Sequence, residues 1–153
     1  MTLLLRPYTP DDFGTLYAID QACYPPGIAY SRRTLRWFLR RPGAECVVAE
    51  DSGQVVGFVL AHQEGPGAHL VTMDVLTAHR RMGIGAALLN NIERTLASRG
   101  VQRIELETAT DNGPAVAFWR KHGYLTRGVI KRYYLDSTDA YSMHKLLTVH
   151  KEG

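Results

Sequence analysis

A short segment that combines arginine with two closely spaced glycines carries the clearest sign of chemistry in the sequence. It consists of Arg80, Arg81, Met82, Gly83, Ile84, Gly85 and Ala86, where a predicted strand passes into a predicted helix. Glycine lets a backbone approach a ligand closely, and the N–H groups in the first turn of a helix have no partner within the helix. These groups and the helix dipole attract anions, so the segment predicts an anion site that suits a pyrophosphate.

The same glycine spacing also fits a tight turn that packs a helix closely without any ligand. The segment is not a P-loop, because no Gly-Lys-Ser/Thr follows it, and it lacks the Gly-x-Gly-x-x-Gly pattern of dinucleotide-binding folds. The choice between a structural turn and a ligand site therefore depends on the elements around it.

The hydrophobic pattern predicts a domain built from both helices and strands. Predicted strands cover residues 3–8, 45–50, 55–63, 69–76, 101–108, 124–134 and 140–147, and predicted helices cover residues 9–23, 31–41, 83–99 and 112–121. Thr9, Ser31 and Asn112 are typical of helix starts. A strand, a helix and a strand within residues 69–108 form a right-handed parallel crossover. The predicted fold class is α/β, with a mixed, mostly antiparallel sheet of about seven strands and about four helices.

The length and composition predict one domain that spans residues 1–153. Of the 153 residues, 45% are hydrophobic and 22% are charged, which allows a single domain to bury its own core. The longest apolar stretch, residues 55–61, is far shorter than the roughly 20 residues of a membrane span. Residues 1–6 lack the basic start, the long hydrophobic region and the cleavage site of a secretion signal. We therefore expect a cytoplasmic protein with no membrane association.

The charge distribution argues against nucleic acid as a partner. The net charge is only +3, and the densest basic cluster lies in a predicted amphipathic helix without a groove-reading motif. The cluster consists of Arg32, Arg33, Arg36, Arg40 and Arg41. A solvated helix face is the favoured interpretation, although arginines also suit an anionic cofactor.

Neither the cysteines nor the histidines have the spacing of a metal site. Cys23 and Cys46 do not form a Cys-x-x-Cys pair, and the six histidines are scattered. We therefore expect no metal and no disulfide, and we expect both cysteines to be small core residues.

Two motifs at the expected separation resemble those of the Gcn5-related N-acetyltransferase (GNAT) superfamily. Arg80, Gly83 and Gly85 match its pyrophosphate loop, Arg/Gln-x-x-Gly-x-Gly/Ala. The family's Asn-x-x-Ala-x-x-Leu-Tyr-x-x-x-Gly-Phe segment is matched in type by Asn112, Ala115, Phe118, Trp119, Gly123 and Tyr124. The resemblance covers nearly the whole chain. It implies an acetyltransferase that uses acetyl-CoA as cosubstrate and a central parallel strand pair that splays apart.

The resemblance assigns acetyl-CoA to the gap between the fourth and fifth strands. It implies that the main-chain N–H of Val75 binds the thioester oxygen, that residues 81–86 hold the pyrophosphate and that Asn112 contacts the pantetheine or thiol end. The other cofactor contacts expected on this basis are Met73, Asp74, Arg80, Phe118 and Trp119.

The carboxyl-terminal segment resembles the amino-terminal protein acetyltransferases, both the ribosomal-protein alanine (RimI) type and the archaeal and eukaryotic catalytic subunits. In those enzymes a Tyr-Tyr pair precedes a short loop and Asp-Ala, as Tyr133 and Tyr134 do here. Residues 24–31 resemble their aromatic, proline-bearing loop. The resemblance implies a peptide groove whose contacts include Tyr24, Tyr30, Tyr133 and Tyr134. Taken singly, the last two also fit strand-favouring aromatics.

The candidate base is Glu107. An amine must lose a proton before it can attack a thioester, so the reaction needs a base or a relay through water. Glu107 lies five residues before Asn112, where the ribosomal-protein enzymes carry a glutamate. Strand alternation places Glu105 and Glu107 on one sheet face, and solvent exposure of both is the alternative interpretation.

The position of the family's usual general acid, a tyrosine, is occupied by Trp119. Indole has an N–H donor but releases no proton near neutral pH. A thiol with a pKa of about 8.5 leaves readily as thiolate. Protonation of the leaving thiolate therefore falls to water, to Tyr133 or to Tyr134.

The expected acceptor is the α-amino group of a protein or peptide amino terminus. The alternative is a small-molecule amine, such as a polyamine, an antibiotic or an amino acid derivative. A third interpretation, which Trp119 alone suggests, is a non-catalytic acetyl-CoA-binding module. We expect a monomer or a homodimer.

Overall fold

Seven strands and four α-helices make up residues 2–147, the part of the chain that the computed structural model describes. Met1, the first residue of the amino-terminal segment assessed above, and residues 148–153 lie outside the described residues. The strands are β1 Leu3–Pro7, β2 Ala44–Asp51, β3 Gln54–Glu64, β4 Gly67–Val75, β5 Arg103–Ala109, β6 Leu125–Ile130 and β7 Ala140–Leu146. The helices are α1 Phe13–Cys23, α2 Arg32–Arg40, α3 Ile84–Ser98 and α4 Gly113–Lys121, with 3-10 turns at Pro10–Asp12 and Thr77–His79.

The strands form one mixed sheet in the order β1-β2-β3-β4-β5-β7-β6. Neighbouring strands run antiparallel except β4 and β5, which the crossover through α3 makes parallel. The predicted fold class, a mixed and mostly antiparallel sheet with helices, is confirmed.

The parallel strands pair at one end only. Their pairing runs from Gly67 with Arg103 to His69 with Glu105, and no further pair joins these two strands within residues 2–147. The carboxyl-terminal half of β4 therefore separates from β5 and leaves a gap in the middle of the sheet. This is the splayed central pair that the family resemblance implies.

A bulge at Val71 reverses the side-chain alternation along β4, because the β3 register passes from Leu70 to Thr72. Before the bulge, Leu70 belongs to the core beneath α3. After it, Met73 packs against that same core, while Asp74 is buried toward α1. The bulge thus decides which β4 side chains face each layer of helices.

Helices cover both faces of the sheet. The face under α3 buries the helix residues Leu88, Leu89, Ile92 and Leu96, and the opposite face buries Phe13, Leu16, Ile19 and Leu35 from α1 and α2. Full burial of each such side chain contributes roughly 1.5–3 kcal/mol, so the two layers hold the sheet firmly around the gap. Across residues 2–147, no helix is long and apolar enough to cross a membrane.

The helix starts agree with the predicted caps. The side chains of Ser31 and Asn112 accept the N–H three residues later, at 3.1 and 3.2 Å. The helix predicted from Thr9 is wrong in type at its start, because Pro10–Asp12 forms a 3-10 turn and α1 begins at Phe13.

The strand predicted over residues 124–134 is wrong at both ends. Tyr124 is fully buried before β6 begins. After β6, Arg132 has a left-handed backbone (φ 52°), and the carboxylate of Asp139 accepts its N–H at 2.9 Å. This turn interrupts the extended chain, so Tyr133 and Tyr134 lie in a loop.

Candidate active site

A cleft of about 980 Å³ occupies the gap between β4 and β5. It brings together residues from the loop after α1, from β4, from the start of α3, from β5 and α4, and from the loop after β6. The predicted site residues in its lining are Tyr24, Tyr30, Met73, Asp74, Val75, Arg80, Arg81, Gly83, Gly85, Ala86, Glu107, Asn112, Phe118, Trp119, Tyr133 and Tyr134. A cleft of this size accommodates an extended ligand with polar groups at both ends.

Two of the predicted cofactor residues turn their side chains elsewhere. Met82 is 50% exposed, and Ile84 is buried in the core beneath α3. Only their main-chain groups are left as candidate contacts, and main-chain N–H groups are what a helix-terminal anion site uses.

The glycine segment forms the start of α3. Gly83 has a left-handed backbone (φ +80°), which a glycine adopts without strain. The first bond of the helix runs from the N–H of Ala87 to the oxygen of Gly83, at 3.0 Å. The N–H groups of residues 84–86 therefore have no partner within the helix, as a pyrophosphate site requires.

Gly85 lies where α3 meets β4 and α4. A Cβ atom there would come 3.5 Å from Cε of Met73 and 3.5 Å from the ring of Phe118, which is ordinary contact. A methyl group would fit, whereas a larger side chain would press on these neighbours or enter the cleft.

The main chain of β4 turns alternate polar groups into the gap. The hydroxyl of Tyr24 donates to the oxygen of Met73 at 3.0 Å, and Nε of Arg80 donates to the oxygen of Val75 at 3.0 Å. In an antiparallel strand the N–H and C=O of one residue point to the same side. The N–H of Val75 therefore faces the gap as well.

On the other side of β4, the oxygen of Asp74 faces β3. A Cβ atom at Gly57 would lie only 2.6 Å from this oxygen, so only glycine permits the close approach of the two strands. The β3 pairing thus fixes the direction of the Val75 main chain.

Glu107 lies at the centre of a three-residue network on the other wall of the gap. Its Oε1 atom accepts hydrogen bonds from Nε2 of His69 at 2.6 Å and from the hydroxyl of Tyr133 at 3.1 Å. Burial raises the pKa of Glu107, but the hydrogen bonds from His69 and Tyr133 outweigh it, and the pKa lies below its usual value. Glu107 is therefore a carboxylate at neutral pH.

Glu105 and Glu107 differ in environment, although alternation places both on one face. The side chain of Glu105 is 41% exposed and pairs with Arg103 and Arg127, whereas that of Glu107 is 18% exposed. Of the two, only Glu107 lines the cleft.

His69 is a candidate site residue that the sequence reasoning missed. It stands 38 positions before Glu107, and no metal or catalytic spacing marks it. The parallel register places it opposite Glu105, next to Glu107. A histidine near the start of a central strand was the only available signal.

The two loop tyrosines stand side by side at the mouth of the cleft. The rings of Tyr133 and Tyr134 pack edge to face with centroids 4.9 Å apart. Burial and the nearby Glu107 raise the pKa of Tyr133 to about 12, and burial raises the pKa of Tyr134. Both phenols therefore stay protonated at neutral pH and can donate hydrogen bonds.

Trp119 is mainly a packing residue. It is 7% exposed, and its ring lies 5.1 Å from that of Phe118 and 5.4 Å from that of Tyr124, both edge to face. These contacts account for an aromatic residue at this position without a proton-transfer role.

Two loops meet over the cleft. The N–H of Leu135 donates to the oxygen of Gly27 at 3.1 Å, which joins residues 131–139 to residues 24–31. Gly27 has φ +90°, and a Cβ atom there would approach Cβ of Asp136 to 2.8 Å. Tyr30 closes the same wall, with its hydroxyl 3.4 Å from the oxygen of Val71.

The basic cluster and the cysteines lie outside this chemistry. The guanidinium groups of Arg32 and Arg36 pack over the rings of Tyr17 and Phe13, at 4.2 and 4.1 Å. Both cysteines are free and only partly buried. Over residues 2–147, no group of three or more metal-ligating side chains is assembled.

Known proteins share both the sequence pattern and the fold. The pattern of the Acetyltransferase (GNAT) family matches residues 13–124. An N-alpha-acetyltransferase of Sulfurisphaera tokodaii is 31% identical over 118 residues, which cover 69% of this chain and 71% of that protein.

Two solved structures superpose on nearly the whole chain. Ard1 from Thermoplasma volcanium has a TM-score of 0.89 and 26% identity, covering 97% of this chain and 99% of the other. The ribosomal-protein-S18-alanine N-acetyltransferase from Escherichia coli has a TM-score of 0.88 and 22% identity, covering 99% and 98%, and supports the fold alone. The chain therefore belongs to the acetyltransferase (GNAT) family and is an acyltransferase that uses acetyl-CoA.

Proposed function

We propose that the protein transfers the acetyl group of acetyl-CoA to the α-amino group of a protein or peptide amino terminus, by direct attack in a ternary complex. The observation that carries this proposal is one continuous cleft. It joins the helix-terminal anion site at α3 to a two-walled groove, with Glu107 between them. The similarity to an archaeal N-alpha-acetyltransferase supports the same acceptor.

The cofactor end fits acetyl-CoA. The free N–H groups of residues 84–86, with Arg80 and Arg81 beside them, suit a pyrophosphate. Asn112 uses its side-chain oxygen to cap α4, which leaves its NH2 group for a pantetheine oxygen. The bound cosubstrate supplies an activated acetyl thioester.

The gap-facing side of β4 fits the reacting carbonyl. The N–H of Val75 is held in place by the β3 pairing, so it donates to the thioester oxygen without reorganisation. Met73 and Phe118 pack around Gly85 and shape the wall along which the pantetheine arm would lie.

The proton of the incoming ammonium passes to Glu107. Its carboxylate is charged at neutral pH, and its Oε1 atom is shared with His69, so a proton that arrives at Glu107 has an imidazole as the next acceptor. Tyr134 remains protonated and is the proposed donor to the leaving thiolate, in place of the absent tyrosine at Trp119.

The groove suits an extended peptide. Tyr30, Tyr133 and Tyr134 line it with aromatic surface and hydroxyl groups. Tyr24 contributes in another way, because its hydroxyl is engaged by Met73 and its ring forms part of the floor.

Mass spectrometry after incubation with acetyl-CoA tests the acceptor. The substrates are a panel of amino-terminal peptides, the same peptides with blocked amino termini, and free polyamines and amino acid amides. Acetylation of the open peptides alone is expected. Preferred acetylation of free amines would replace the proposal by the small-molecule alternative, and binding of acetyl-CoA without turnover on any acceptor would favour a non-catalytic module. The free thiols agree with the cytoplasmic location proposed for the enzyme.

A further inference from the structure

Two buried aspartates face each other between α1 and β4, outside the network around Glu107. Asp20, near the end of α1, is 0% exposed, and Asp74, near the end of β4, is 1% exposed. A carboxylate in such a place needs a cation or a proton. The pair lies directly behind the strand segment that carries Val75.

Each carboxyl group has one bonded oxygen and one that points to the other aspartate. Oδ2 of Asp20 accepts the N–H of Tyr30 at 2.7 Å, and Oδ1 of Asp74 accepts the hydroxyl of Thr72 at 2.6 Å. The remaining atoms, Oδ1 of Asp20 and Oδ2 of Asp74, are buried without another partner among the described residues. They lie within hydrogen-bonding reach of each other.

The surroundings favour one proton between the two carboxyl groups. Burial, then the hydrogen bond and the charge of Asp20, raise the pKa of Asp74 well above its usual value. The titratable and charged groups around the pair are Cys23 on α1, Tyr24 and Tyr30 in the following loop, Cys46 on β2 and Arg80 after β4. Arg80 is the one cation among these groups, and its Nε atom is engaged by the oxygen of Val75.

We propose that Asp20 and Asp74 share one proton, and that this bond fastens residues 24–31 to β4 as positioning residues for the acceptor wall. Through Tyr30, Asp20 holds the end of that loop. When the proton leaves, two negative charges face each other in a buried site and push the loop away from β4. The effect on catalysis rests on the proposed function, since it assumes that this loop contacts the acceptor.

An asparagine at position 20 separates the shared proton from the contact itself. In Asp20→Asn, the amide oxygen accepts the N–H of Tyr30 and the amide NH2 donates to Asp74, so the bond needs no titratable proton. Asp74→Asn offers the same bond from the other side. Asp20→Ala removes it.

The primary measurement is amide hydrogen exchange of residues 24–31 by mass spectrometry, from about pH 6 to about pH 10, corrected for the intrinsic pH dependence of exchange. In the parent protein, protection of this loop is expected to fall at least about tenfold with rising pH, whereas Asp20→Asn keeps it. A parallel loss in both proteins overturns the proposal. If Asp20→Ala does not fold, the comparison of the parent with the asparagine variant still decides.

The second measurement is the KM for a tetrapeptide over the same pH range. Its ratio between the parent and Asp20→Asn cancels the titration of the peptide amine and of Glu107. The ratio is expected to rise with pH while the affinity for acetyl-CoA stays equal, and a constant ratio removes the pair from acceptor positioning. If no peptide is acetylated at any pH, the proposed function fails instead, and hydrogen exchange alone decides the shared proton.

Discussion

Glu107 of β5 and His69 of β4 are joined by a 2.6 Å hydrogen bond where the two strands begin to separate. The bond ties the candidate base to the last point at which the sheet is still paired. The base is thereby held at the entrance of the gap, and its protonation is coupled to a second titratable side chain.

Replacement of Glu107 by glutamine removes the proton acceptor and keeps the shape. We expect the rate to fall on the order of 100-fold or more, because general base catalysis is lost. The loss should shrink at high pH, where more of the amine is already neutral. The pH dependence of kcat/KM and acetyl-CoA calorimetry are the measurements, and an unaltered pH profile would exclude Glu107 as the base.

Replacement of His69 by alanine tests the hydrogen bond itself. The bond from His69 lowers the pKa of Glu107, so its removal should raise that pKa and move the acid limb of the pH–rate profile to higher pH. Tyr133→Phe removes the weaker bond and should move the limb less. A lower rate with an unmoved acid limb would mean that His69 acts without tuning Glu107.

Replacement of Gly83 by valine should abolish tight acetyl-CoA binding. A side chain there forces a left-handed valine, which costs roughly 1–2 kcal/mol, and displaces the N–H groups of α3. Gly53→Val is the matched control, because Gly53 also has positive φ (+85°) and free space but lies in the β2–β3 turn.

Both glycine variants should lose similar stability in thermal unfolding, and only Gly83→Val should lose acetyl-CoA affinity in calorimetry. Gly85→Val is expected to weaken binding too, by pressing on Met73 and Phe118. Tight binding by both cleft variants would refute the pyrophosphate assignment.

Extension of the acceptor tests the peptide groove. A tetrapeptide should have a kcat/KM at least roughly tenfold above that of a free amino acid amide, or about 1.4 kcal/mol of added transition-state binding. Tyr30→Ala and Tyr134→Phe should reduce this advantage by raising KM or lowering kcat, without changing acetyl-CoA affinity. Equal efficiency on the two acceptors would favour a small-molecule amine.

Local chemistry alone determined much of this protein. The glycine segment, the caps at Ser31 and Asn112 and the order of helices and strands follow from neighbours within a few residues, since backbone conformation and side-chain period are short-range properties. The position of Glu107 on the cleft side of β5 follows from the same alternation.

The tertiary structure decided which of these residues meet. His69 reaches Glu107, and Asp20 reaches Asp74, only because of the short parallel pairing of β4 with β5 and the bulge at Val71. A shift of one residue in either register would turn these side chains to the other face of the sheet. Strand register depends on the packing of the whole sheet between two layers of helices, which no local pattern encodes.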